Sequence, residues 1–485
     1  MASIKKNFLF TASYQLVNVL MVLVTAPYVS RVLGAQMLGT YTYTFTLAGY
    51  FVMFAGLGFA LHGKRNIAAI QDDRSAVSKV FTEVYLFQLI VATCVTAVYL
   101  VYIAFIAEES YRLLLFTQLF YVISAVVDIS WLFFGMEKFQ TTSIRNFIIK
   151  ILTVAAIFIF VKKPDDVTVY ALIMAVGALL SQLVLWLGVP KIIKFKREYC
   201  KIKFGHLWRS LILFIPVVAI SLYTSMDKLM LGRMANMKEL AFYENAYKVI
   251  TIPISLIAAF ETVVLPRMVN LRAKEDTGKV NKMVESSFSL VMIVGAPMVC
   301  GLIAVAKPLT SVMFGAEFVK TGYIMMILAV IILLAALAGV IRQEILVPQY
   351  MDKAYTLSVF VGAFANLALN LFLIPKLGAL GAAIATVAAE GSVFLYQMIV
   401  TRKMQPYHKY LKRDFPFLLA AVVMGIIVYI ISEILPNKIW CLMLLILTGI
   451  LIYAGLFFII FKFSGRSIKE NLLAKDKEMS GEKDF

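Results

Sequence analysis

The apolar residues of this chain come in blocks of about twenty, the length of helix that crosses the hydrocarbon core of a bilayer. Fourteen such blocks are read here, at 8–30, 40–60, 82–106, 113–134, 145–161, 168–190, 207–231, 240–265, 286–306, 321–347, 354–374, 378–400, 416–434 and 439–461. Backbone groups cannot stay unpaired in lipid, so spans of this length must be helices. Barrel strands need only about ten residues with strict alternation, which is absent here. With 61% apolar and 15% charged residues and a mean hydropathy of +0.87, a soluble core is excluded.

The net charge of +18 does not imply a nucleic-acid partner, because the basic residues sit between spans. With a cytoplasmic N-terminus, about three-quarters of the Lys and Arg fall on the cytoplasmic side. An even span count places both termini there. The N-terminal run follows Lys5 and Lys6 and is too long for a cleaved signal, so it reads as the first retained helix. The polar tail 465–485 is expected to be disordered and cytoplasmic.

The longest basic loop, 191–209, falls between spans six and seven. The two sides of that joint echo each other. Span one leads into Arg31-Val32-Leu33-Gly34 and Leu38-Gly39-Thr40-Tyr41. Span seven leads into Leu229-Met230-Leu231-Gly232 and Leu240-Ala241-Phe242-Tyr243. Both turns fall on the outer face, so the expected fold is an all-α polytopic membrane protein of two parallel repeats. The divisions are 1–200 and 201–400 as six-helix bundles about a pseudo-twofold along the membrane normal, two further helices in 401–464, and the tail.

Charge inside the spans marks the candidate functional residues. Asp227, Lys228, Glu244, Lys248 and Glu261 lie in spans seven and eight, and Asp128 lies in span four. Arg342, Glu344, Asn366, Asn370 and Glu390 occupy spans ten to twelve. Charge at depth costs about 2.5–3.5 kcal/mol per residue on insertion scales. Two readings stay open: pairing or snorkelling at helix ends, or a hydrated, partly cationic path between the halves. Pro27, Pro216 and Pro253 would kink helices at the start of both halves.

No enzyme motif is present. There is no GxxxxGK[ST], and the Gly-rich runs lie inside spans, where small residues allow close packing. Cys94, Cys200, Cys300 and Cys441 lack metal spacing, and His62, His206 and His408 are scattered. No metal or cofactor is expected.

Certain stretches resemble one family. Ala26-Pro27-Tyr28-Val29-Ser30-Arg31-Val32-Leu33-Gly34, Leu38-Gly39-Thr40-Tyr41, Phe54-Ala55-Gly56-Leu57-Gly58-Phe59 and His62-Gly63-Lys64-Arg65-Asn66 carry the likeness in the first half. Asp227-Lys228, Leu231-Gly232 and Val264-Leu265-Pro266-Arg267 carry it in the second. The chain resembles the bacterial polysaccharide flippases of the multidrug/oligosaccharidyl-lipid/polysaccharide exporter superfamily. The pattern is shared by teichoic-acid, capsule and O-antigen flippases. The resemblance implies two six-helix bundles in a V. It also implies movement of a polyprenyl-diphosphate-linked glycan from inner to outer leaflet of the cytoplasmic membrane by alternating access, coupled to H+, Na+ or the membrane potential.

From charge and depth, the diphosphate-binding candidates are Arg31, Lys64, Arg65, Lys228, Lys248 and Arg342. Asp128, Asp227 and Glu244 are the candidates for cation coupling or pairing. Lys248 and Glu244, four residues apart, can pair with each other. The expected partners are the lipid-linked glycan, membrane lipids and polysaccharide polymerase or ligase machinery, with a monomer as the working unit. Alternatives are a cation-coupled drug exporter of the related efflux branch and a membrane-embedded glycosyltransferase or polymerase.

Overall fold

A computed structural model of the chain describes residues 2–200, 204–274 and 277–463. Within that range, side chains are not described at 2–20, 139, 216, 222–223, 259–263, 266, 273, 277 and 463. The tail 465–485 and the Glu261 side chain thus lie outside the described residues. Every regular element among the described residues is helical.

The chain divides into two compact units. The first comprises residues 1–244 with 370–382, and the second 245–369 with 383–485.

In the first unit, α1 (Ala2–Gly56) carries the first two expected spans as one element, interrupted only at Gly34, whose φ of 71° and ψ of 172° are non-helical. A side chain would strain that conformation, so glycine sets the kink there. After the left-handed pair Leu57 and Gly58, α2 (Phe59–Ala69) runs to a turn. Asp73 then caps α3 (Arg74–Phe105), its Oδ1 accepting from the amides of Ser75 at 2.8 Å and Ala76 at 3.1 Å.

The fourth expected span is in pieces: α4 (Glu109–Thr117), α5 (Leu119–Val126) and α6 (Ser130–Gly135). Then follow α7 (Phe139–Phe160), α8 (Val167–Trp186), α9 (Val189–Ile192) and α10 (Phe204–Met234). The first residues of α11 (Met237–Ala273) complete the contiguous part. A core around the buried Trp131 holds α2, α3, α6 and the end of α8 together through Phe59, Phe81, Phe133 and Leu185.

The second unit is built on α12 (Thr277–Phe314), which is helical through Pro297 and Pro308. α13 (Val319–Leu328) and α14 (Val330–Ile341) lead into a π-helical turn at Arg342–Leu346. α15 (Asp352–Leu377), α16 (Ala379–Thr401), α17 (Tyr407–Ile434) and α18 (Ile439–Phe463) follow, the end of α15 and start of α16 belonging to the first unit. Met424 and Val428 of α17 and Leu442 and Leu445 of α18 pack on Ala304 and Val305 of α12. Arg413 of α17 adds polar contacts to α12, pairing with its neighbour Asp414 at 2.8 Å and reaching Glu285 and Ser289 of α12.

Eleven helices among the described residues are long and apolar enough to cross a membrane. The fourteen-span reading exceeds that number for three reasons. Spans one and two share α1, span four is broken into short helices, and span eight, in α11, lies partly outside the described side chains. Outward apolar faces such as Met443, Ile450 and Leu451 of α18, each more than half exposed, suit a hydrocarbon solvent. This is a multi-pass membrane protein.

Candidate functional site

Charge is concentrated where α10 turns into α11. Asn236 starts α11, its Oδ1 accepting from the amide of Glu239 at 3.0 Å. Before the turn, Asp227 is 1% exposed, and its Oδ2 accepts from the Tyr243 hydroxyl at 2.8 Å. Its Oδ1 accepts from Asn370 Nδ2, the shorter of the two bonds. The next residue, Lys228, places Nζ 2.8 Å from Glu244 Oε2, with side chains 18% and 12% exposed. That contact is an ion pair without the alignment of a hydrogen bond. Glu239 then accepts from the amide of Ala379 at 2.8 Å, setting a carboxylate at the N-terminus of α16.

The hairpin therefore holds a buried carboxylate between two neutral donors and, one residue on, a largely buried lysine–glutamate pair. A cation held this way can exchange its carboxylate for another anion without losing charge compensation.

A second polar feature lies inside the first unit, where the broken fourth span leaves carbonyls that no helix satisfies. Gln88 of α3 supplies them. Its Nε2 donates to the carbonyls of Ala125 at 3.1 Å and Asp128 at 2.7 Å, while its Oε1 accepts from Trp131 Nε1 at 3.0 Å. Asp128 Oδ1 accepts from the amide of Ser130 at 2.8 Å and starts α6. A cavity of about 310 Å³ opens beside this break, lined among others by Gly56, Tyr121, Asp128, Trp131 and Gln182. The buried Gln182 Oε1 has no partner among the described residues.

Of the residues expected to act together, Asp227, Lys228 and Glu244 meet at the α10–α11 hairpin. Arg31 is exposed on α1, three residues before Gly34. Lys64 and Arg65 are exposed on α2, Lys64 Nζ lying 5.9 Å from the centre of the Phe134 ring. Lys248 and Arg342 belong to the second unit. Lys248 is half-buried on α11, and Arg342 opens the π-helical turn that also holds the buried Glu344. Asp128 lines the cavity apart from these. Gln88, Trp131 and Gln182 were not singled out from the sequence, where an uncharged amide or indole in a span gives no signal of depth.

The sequence model of a family described as "Polysaccharide biosynthesis protein" matches residues 4–272. A "Putative O-antigen transporter" of Shigella dysenteriae is 23% identical over 399 residues, 81% of this chain and 99% of that protein. Among solved structures, a "Lipid II flippase MurJ, inward closed conformation" superposes with a TM-score of 0.77 at 16% identity, over 94% of this chain and 100% of that one. An inward-facing multidrug resistance MATE family transporter of the MOP superfamily does so with a TM-score of 0.62 at 12% identity, over 79% and 95%. The two likenesses give the fold. The family match covers more than half of the residues: this chain belongs to the polysaccharide biosynthesis protein family.

Proposed function

We propose that this protein is a flippase that carries a polyprenyl-diphosphate-linked glycan from the inner to the outer leaflet of the cytoplasmic membrane. Family membership and a relative named as an O-antigen transporter, matched over nearly its whole length, support a lipid-linked glycan as cargo. The observation that carries the reading is the Lys228–Glu244 pair. It is a cation kept mostly out of water and already compensated, so an incoming diphosphate can take the place of the carboxylate. The polyprenyl tail stays in hydrocarbon, and the protein has only to escort the polar head. In this reading transport proceeds by alternating access, with Lys248, Arg31 and Arg342 adding positive charge. Lys64 and Arg65 form the cationic entry on α2, and both termini are cytoplasmic. Asp227 and Asp128 are the carboxylates available for coupling to a cation.

The test is translocation of a fluorescent lipid-linked oligosaccharide in proteoliposomes, with protein quantified alongside. K228Q and K248Q should lose at least tenfold in rate (about 1.4 kcal/mol). K248R should keep part of the activity, because a mobile head group needs charge more than shape. Full transport by both glutamine variants rejects the cationic site.

A further inference from the structure

His62 and His206 are 144 residues apart and meet in the first unit. His62 Nε2 lies 2.9 Å from His206 Nδ1, and His206 Nε2 lies 3.2 Å from Glu83 Oε2. At the other end, Asn66 Nδ2 lies 3.2 Å from the His62 ring nitrogens and donates to the His62 carbonyl at 2.8 Å. The result is a linear chain, Asn66–His62–His206–Glu83, across α2, α10 and α3. His62 and Glu83 are 4% and 2% exposed, and the His206 side chain 13%. The groups lie in a row, and among the described residues no three metal-ligating side chains are grouped to hold a metal ion.

We propose that His62, His206 and Glu83 form a binding site for a single proton, and that its occupancy sets how firmly the first turns of α10 are held on α2 and α3.

Three observations carry this. First, the geometry accepts one proton and opposes a second. A proton on His206 makes both of its ring nitrogens donors, one to Glu83 Oε2 and the other to His62 Nε2, so each of them faces an acceptor. A second, on His62, would aim two N–H groups at each other across 2.9 Å. Burial, His206 and Arg209 push His62 down to about 4, which keeps that ring neutral as the acceptor. Second, the row ends on a buried carboxylate. Glu83 is buried, and an imidazolium against it is a charge-assisted bond stronger than the neutral one. The other charged groups nearby, Lys64 and Arg65 on α2, Lys79 on α3 and Arg209 on α10, are exposed.

Third, the site sits at a close helix crossing. One turn from His62, Gly58 (φ +75°) approaches α10 so closely that a Cβ there would lie 2.4 Å from the Ser210 carbonyl oxygen. The pairs Gly58–Ser210 and His62–His206 are successive contacts of two antiparallel helices. α10 is continuous from this contact to Asp227 and Lys228, roughly 33 Å along the axis at 1.5 Å per residue. A change in how its first turns are docked is carried along this one helix towards the proposed cargo cation.

The proton site stands on the geometry alone. Its coupling to transport rests on the flippase reading. Two measurements keep them apart. Histidine C2-hydrogen exchange, followed by mass spectrometry on the full chain in nanodiscs, titrates each ring. The His62 midpoint should rise by about one unit in His206→Gln, where the neighbouring charge is gone. An unchanged midpoint overturns the site. In proteoliposomes, the ratio of translocation with an imposed pH gradient to that without should fall from several-fold towards one in H62Q, H206Q and E83Q alike. A ratio preserved in all three overturns the coupling. Should H206Q fail to fold, E83Q and H62Q carry the second measurement. Absence of translocation by the wild-type protein defeats the flippase reading, and the titration still decides the proton site.

Discussion

Asn370 Nδ2 donates a 2.5 Å hydrogen bond to Asp227 Oδ1 across 143 residues of sequence. Both residues are essentially inaccessible, and Tyr243 supplies the carboxylate's second donor. Removing the carboxylate strands two buried donors, each costing about 1–3 kcal/mol. D227A should therefore lower thermal stability in detergent well beyond D227N, which keeps the shape and one acceptor. A melting curve of D227A superposable on wild type contradicts the structural role of this bond.

Gln88 is the expected weak point of the first unit. Q88L removes the partners of two backbone carbonyls and of the Trp131 indole at once. A loss of about 3 kcal/mol or more is expected, because three polar groups lose their partner at once. Q88E should not rescue it, since a carboxylate cannot donate to carbonyls. Measured melting temperatures and expression levels decide the matter, and a stable Q88L would mean that water reaches the break.

Acid should destabilise the fold through His62. Its folded value, about 4, lies below the ordinary 6.5. Between those two values the unfolded chain binds a proton that the folded one refuses. Stability is therefore full above about pH 6.5 and is lost as pH falls towards 4. The melting temperature of wild type should drop more steeply over this window than that of H62Q. Parallel pH profiles would count against it.

The orientation is tested by cysteine labelling in a background with the four native cysteines replaced, because Cys94 and Cys200 are exposed. A cysteine at Gly315, in the turn after α12, should label from outside intact cells, and one at Arg197 should not. Equal labelling of both from outside refutes the orientation.

Much of the fold was readable from the length of apolar runs alone. α3, α7, α8, α12 and α15 to α18 overlap the expected spans because a bilayer leaves a long apolar segment few choices. The break around Asp128 was not readable. A run such as YVISAVVDISWLFF looks continuous, and only the arrival of Gln88 from α3 makes its interruption affordable. The site was legible in part. Depth of charge pointed to Asp227, Lys228 and Glu244, and their meeting depends on the short turn between α10 and α11. The partners of Asp227 were less accessible to sequence reasoning. Asn370 lies far along the chain, and an asparagine spacing such as Asn366/Asn370 indicates a shared face without indicating what it touches. The histidines read as scattered because contacts at a separation of 144 residues leave no local spacing.

The first unit is not closed by the first half of the chain. Residues 370–382 complete it, giving Asn370 to Asp227 and the amide of Ala379 to Glu239. During synthesis the ribosome must therefore deliver most of the polypeptide before the α10–α11 hairpin has its last partners. Until then Asp227 waits in the membrane with one donor fewer than it will finally hold, a state that suits capture by an insertase or a quality-control protease. The early helices of this protein thus reach their final packing only after its late helices have been made.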